Sequence, residues 1–199
     1  MKIWQATVLS LAMAVPASAQ DACPTIDDLA GGIRFETATG EIETFRRYSD
    51  DIVESYYAYS PDEGVRSMLV RGLYLVEVME MADGKMLPGS RTTYSFPMAA
   101  DALPQPEPGT TWSVTLARLD SAGLASEQQD YVFGPAQTRT YGGCAYQMIP
   151  VEIAYPDDPD PELRDILHYL PELGLSYVAA FKDSNGSDTY DYIGIERLQ

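Results

Sequence analysis

Short runs rich in Tyr, Val, Ile and Thr recur from residue 31 to the C-terminus, each cut off by glycine, proline, aspartate or asparagine. That punctuation constrains the fold more than any other feature. A strand needs only a few residues of period two, whereas a core helix needs a longer apolar stripe of period 3.6. Gly31–Thr37, Glu41–Tyr48 and Ile52–Tyr59 read as strands, with Ala38-Thr39-Gly40 and Pro61-Asp62-Glu63-Gly64 as turns. In the second strand Ile42, Thr44 and Arg46 face one way and Glu43, Phe45 and Arg47 the other. Val65–Met81 reads as one long strand bent at Gly72, followed by an Asp83-Gly84 hairpin turn and Thr92–Phe96. Beyond residue 110, strands are expected at Trp112–Ala117, Ala125–Phe133, Gln137–Tyr141 and Cys144–Tyr155. Leu175–Lys182 and Thr189–Arg197 follow as a final hairpin through Asn185-Gly186, a pair that readily adopts the positive φ angles of a type I′ turn.

Two segments have helical character. Thr25–Gly31 offers a cap, acidic first-turn residues and a glycine stop, enough for one or two turns. Around Asp160-Pro161-Glu162, Leu163, Ile166, Leu167 and Leu170 fall at helical spacing, yet 166–170 also fits a strand turning at Pro171–Gly174. The strand is favoured, because the surroundings are β and Pro171 would cut the helix short. The expected fold is therefore all-β: one domain of curved antiparallel sheet, half-barrel or sandwich, with one or two short helices.

Residues 1–19 read as a cleavable export signal, leaving residues 20–199 as the working domain. Lys2 is a minimal positive start, Ile3–Val15 is apolar and uncharged, and Pro16-Ala17-Ser18-Ala19 has the A-x-A spacing of a peptidase site. The apolar run is too short to span a bilayer, and no later segment is apolar enough, so no membrane span is expected. A lipid anchor on Cys23 is disfavoured because Gln20-Asp21-Ala22 are the wrong neighbours for one. The address is periplasmic or secreted. There, the two cysteines, Cys23 and Cys144, are expected to form a disulfide. The bridge would span Leu103–Gly109, whose three prolines favour an extended connection, and so argues for one domain instead of two. With 30 acidic against 13 basic residues and a formal charge of −17, the chain repels phosphate backbones and anionic lipid, which disfavours nucleic-acid binding.

Gly142-Gly143-Cys144-Ala145-Tyr146, Ile149-Pro150-Val151-Glu152 and Tyr169–Leu175, together with the export signal, resemble uncharacterised exported β-proteins of Gram-negative bacteria. The resemblance covers roughly residues 110–199. It implies a curved sheet or half-barrel with a concave apolar face, as in periplasmic lipoprotein carriers, and names no catalytic residue.

His168 is the sole histidine, so a histidine metal site or a Ser-His-Asp triad has little to draw on, and a strand-surface position is expected for it. Asp183–Asp188 departs from a calcium loop in its glycine position and lacks the closing glutamate; it reads as a turn. The carboxylates of Asp157, Asp158 and Asp160 read as a solvated loop. Met79 and Met81, with Met86, have thioether spacing that suits Cu(I), but core packing explains them more simply. No metal or cofactor is expected. The compositional oddity is 14 tyrosines, which suit half-buried strands or a binding face. The candidate ligand face is Tyr56, Tyr74, Met79, Met81, Tyr177, Tyr190 and Tyr192. The expected role is a binding or structural module for an apolar small molecule or another envelope protein. A carboxylate-based hydrolase and an accessory subunit of an envelope complex are the alternatives.

Overall fold

The computed structural model describes residues 23–198; the expected export signal at residues 1–19 lies outside them. After a 3-10 helix at Ile26–Ala30, the strands are β1 (Ile33–Thr37), β2 (Ile42–Arg47), β3 (Ile52–Ala58), β4 (Glu63–Val70), β5 (Tyr74–Ala82), β6 (Lys85–Met86) and β7 (Thr92–Ser95). A second 3-10 turn at Ala100–Ala102 precedes β8 (Thr111–Asp120), β9 (Gly123–Phe133), β10 (Gln137–Tyr141), β11 (Cys144–Ala154) and β12 (Arg164–Leu170). The chain ends with β13 (Leu175–Asp183), β14 (Gly186–Thr189) and β15 (Tyr192–Arg197). All pairings are antiparallel, and the strands form one sheet, not closed into a barrel. Its order is β14-β13-β12-β11-β9-β8-β7-β5-β4-β3-β2-β1-β15, with β6 paired to β5 and β10 to β11. The all-β expectation holds, and residues 164–170 form the strand favoured over the helix.

Two expectations are corrected. Val65–Met81 is two strands, with a full reversal where one bent strand was expected. Arg71 and Gly72 both adopt positive φ (53° and 66°), and the Leu73 N–H reaches the Val70 carbonyl, the mark of a tight primed turn. Gly72 has no substitute there, since a Cβ would stand 2.0 Å from the Gly174 carbonyl oxygen. At the end of the chain, β13 turns into the short β14 alone, and β15 crosses to pair with β1. Asn185 is not at positive φ. The Asp183 carboxylate instead accepts from the N–H groups of Asn185 and Gly186 and shapes that turn.

Apolar residues collect in two cores. The first gathers Leu29, Ile33, Phe35, Phe45, Tyr141, Tyr146, Leu173, Tyr177 and Tyr192, among others. Here Cys144 bridges to Cys23 across 121 residues, and the Tyr146 hydroxyl donates to the Pro24 carbonyl. The second gathers Leu73, Tyr74, Leu103, Tyr131, Phe133, Ile149, Val151 and Leu167. Leu103, from the proline-rich connection, is buried, and the Tyr74 hydroxyl donates to the Pro104 carbonyl at 2.8 Å. That connection joins β7 to β8, which are direct neighbours in the sheet. β11 serves both cores by changing its buried face midway: Cys144, Tyr146 and Met148 enter the first, then Ile149, Val151 and Ile153 the second.

Candidate binding cleft

Alternation along β2, β3 and β4 points Glu43, Ser55, Tyr57, Val65 and Ser67 to one side of the sheet. Their register makes rows of them: Glu43 lies opposite Tyr57, which lies opposite Val65, while Ser55 lies opposite Ser67. Because the sheet curls, β12 and β13 meet this wall with Asp165, Val178 and Phe181. Between them lie two cavities of about 260 and 270 Å³. The cavities meet at Glu43, Ser55, Val65, Ser67, Asp165 and Val178, which line both. One opens past Tyr57, Phe181, Tyr190 and Tyr192, and the other runs on past Leu69, Leu75, Val78, Tyr94, Gln129 and Tyr155.

The polar groups here are organised, and they are acidic. Glu43 is buried, accepts from the hydroxyls of Ser55 and Tyr192, and has no cationic partner among the described residues. Desolvation pushes its carboxyl up to about 7, against the pull of those two hydroxyls. Asp165 accepts from the Tyr155 hydroxyl at 2.6 Å and is likewise raised, chiefly by burial. Among the described residues, no Lys, Arg or His lines either cavity. Six arginines instead form ion pairs: Arg34 with Glu196, Arg66 with Glu54, Arg91 with Glu77, Arg118 with Asp120 and Glu127, Arg139 with Asp191, and Arg164 with Glu152.

A second polar chain lies beside the cleft. The hydroxyls of Tyr141 and Tyr177 are 2.7 Å apart, and Tyr177 meets His168 Nδ1 at 2.9 Å. Burial first, then the Arg139 charge, lowers the His168 pKa to about 4, so the ring is neutral near pH 7. His168 is half-buried in this chain and not on the strand surface as expected.

Of the seven candidate face residues, Tyr177, Tyr190 and Tyr192 line the cavities. Tyr74 lies wholly within the second core. Tyr56 takes the β3 position between Ser55 and Tyr57 and covers Gly64, where a Cβ would stand 2.9 Å from its ring. Met79 is buried opposite Arg66, and Met81 pairs across the hairpin with Met86, so neither lines the cleft. Their displacement follows from a bulge. The β4–β5 register shifts between Met68 and Leu69, which puts Leu75 and Val78, three residues apart, on the cleft side and leaves Met79 off it. Glu43 and Asp165 were absent from the candidates. The signal for Glu43 was its place on the face of a phenylalanine in a strand; Asp165 had none.

Among the described residues, no group of three or more His, Cys, Asp or Glu side chains is placed to hold a metal ion, and no helix is long and apolar enough to cross a membrane. Asp158 and Asp160 instead accept backbone N–H groups, Asp160 that of Ser184, which ties its loop to the β13–β14 turn.

No family model matches the chain, and no curated protein matches it. Among solved structures it is similar to the hypothetical lipoprotein YmcC from Escherichia coli (K12). That likeness is 8% identity and a TM-score of 0.42, over 82% of this chain and 81% of that one.

Proposed function

We propose that the protein is an exported binding protein that takes a small ligand with an apolar body into the cleft inside its curled sheet. The observation that carries this reading is the pair of cavities joined at six shared residues, with Val65, Val78, Leu75, Val178 and Phe181 on their walls and tyrosine hydroxyls at their margins. Ligand sites are typically concave and largely apolar, with a few converging polar groups. The Cys23–Cys144 bridge supports an oxidising compartment such as the envelope.

The test is titration of the disulfide-bonded protein with Nile red, a neutral probe that brightens in apolar surroundings. Saturable binding is expected, and it falls when Val178 is replaced by Trp. Val178 lines both cavities and is 38% exposed, so the indole fills the cleft without entering a core. Fluorescence that never saturates, or that V178W leaves untouched, overturns the reading. A carboxylate hydrolase is a second reading, favoured only by the presence of Glu43 and Asp165 in one cleft. It requires a hydrolytic activity that Asp165→Asn abolishes.

A further inference from the structure

Resting on that cleft reading, we infer that its ligand carries a positive charge: an amphiphilic amine whose cationic head sits between Glu43 and Asp165 and whose apolar body lies along Val65, Val178 and Leu75. The two carboxyls stand where the cavities meet, so a ligand occupying either one passes them. Glu43 is 93% removed from water by its 7% exposure, and both its oxygens are held by hydroxyls alone. Hydroxyl hydrogen bonds do not supply the countercharge that lets a buried carboxyl ionise, and a cation brought by the ligand supplies what the protein withholds. Half-buried carboxylates elsewhere in the sheet have such a cation: Glu54, Glu77 and Glu127 are each paired with an arginine. The cleft pair is left without one.

The same features reject anions. A fatty acid would bring its carboxylate beside two acids in a pocket with no Lys, Arg or His among the described residues, and from a protein of formal charge −17. A neutral alcohol would find hydroxyl partners but no charge to balance. The order of preference is amine, then alcohol, then acid.

The test is displacement of bound Nile red from the disulfide-bonded protein by dodecylamine, 1-dodecanol and dodecanoate, each kept below its solubility or micellar limit, at neutral pH and moderate salt. The amine is expected to half-displace the probe at a concentration about ten-fold below the alcohol, as a charge-assisted contact in place of a neutral one requires. Dodecanoate is expected to be the weakest. E43Q and D165N, each checked for native near-ultraviolet circular dichroism, should narrow the gap between amine and alcohol. V178W should abolish amine binding, which separates the cleft from adsorption on the acidic surface. An amine no better than the alcohol, with Nile red still bound and displaced, overturns the charge inference and leaves the binding reading standing. An amine preference unchanged in both E43Q and D165N overturns it equally. Failure of Nile red and amine to bind at all removes both.

Discussion

Around Phe35, aromatic rings arrive from β1, β2, β10, β13 and β15, and Phe35 alone lies within 6.0 Å of Phe45, Tyr141, Tyr177 and Tyr192. Around Tyr74, the rings of Phe96, Trp112 and Tyr131 come from a single stretch of the chain, with Phe133 stacked beyond. The first core joins the beginning, middle and end of the sequence, whereas the second draws on the interior stretch from Val70 to Tyr169. Contacts between the two ends of the chain close the longest loops, an entropic cost that grows slowly with loop length. The disulfide lies where that cost is greatest, because Cys144 belongs to the first core and Cys23 leads into it.

The largest test of this contrast removes the bridge. A Cys23→Ser, Cys144→Ser protein loses the constraint on a long loop, with an upper expectation of about 5 kcal/mol. Urea denaturation gives the total, and amide exchange locates it: protection should fall first in β1, β2 and β10, and later in β8 and β9. Equal loss in both cores would erase the distinction.

Next come the rings. Phe35 is fully buried and Phe133 nearly so. Truncating a buried Phe to Ala costs about 3–5 kcal/mol. Phe35→Ala should exceed Phe133→Ala by about 1 kcal/mol or more, since Phe35 also loses several edge-to-face partners. A reversed order, read from urea midpoints, would make the second core the better packed of the two.

The cleft and the polar chain beside it carry opposed titrations. Glu43 is raised from 4.5 to about 7 by burial, so the folded protein holds a proton that the unfolded chain has released. Its contribution is fully present below 4.5 and is lost as pH rises towards 7, by about 3 kcal/mol. Asp165 is raised too and adds to the same slope. His168 is lowered from 6.5 to about 4, so its contribution is present above 6.5 and is lost as pH falls towards 4. In the shared window the two largely offset each other. Single substitutions should expose each in turn: E43Q becomes less stable towards acid, and H168Q becomes less stable towards neutrality. If either slope keeps its wild-type value, the group replaced does not titrate as its surroundings dictate.

Which of these features the sequence reveals depends on range. Period-two alternation and turn residues are local, so the positions of most strands and the Asp83-Gly84 reversal are readable directly. The Arg71-Gly72 turn is masked because arginine is not a residue that favours positive φ. Asn185-Gly186 suggests a primed turn, but the neighbouring Asp183 carboxylate imposes another. The pairing of β15 with β1, the bulge that turns Met79 away and the switch of buried face along β11 are set by contacts between distant strands. No local window contains them. The cleft shares this origin: Tyr192 reaches it only because the last strand crosses the molecule, and Asp165 only because the sheet curls.

The smallest effect concerns the cover of the second core. Tyr74 is fully buried, and its hydroxyl donates to the Pro104 carbonyl in the proline-rich connection. Tyr74→Phe keeps the ring among Phe96, Trp112 and Tyr131 and removes only that bond, at about 1 kcal/mol. Pro104 is half-buried, so water can reach the freed carbonyl and hold the cost down. In the first core, Tyr141→Phe takes one partner from the buried Tyr177 hydroxyl and breaks a chain that runs on to His168. Its cost should be the greater of the two. Since Leu103 anchors the connection by burial and Tyr74 by a hydrogen bond, Tyr74→Phe should raise amide exchange around residues 103–109 and leave β1 and β10 unchanged. A response that spreads to β1 would show that the two cores unfold as one unit, whatever the distance between their residues in sequence.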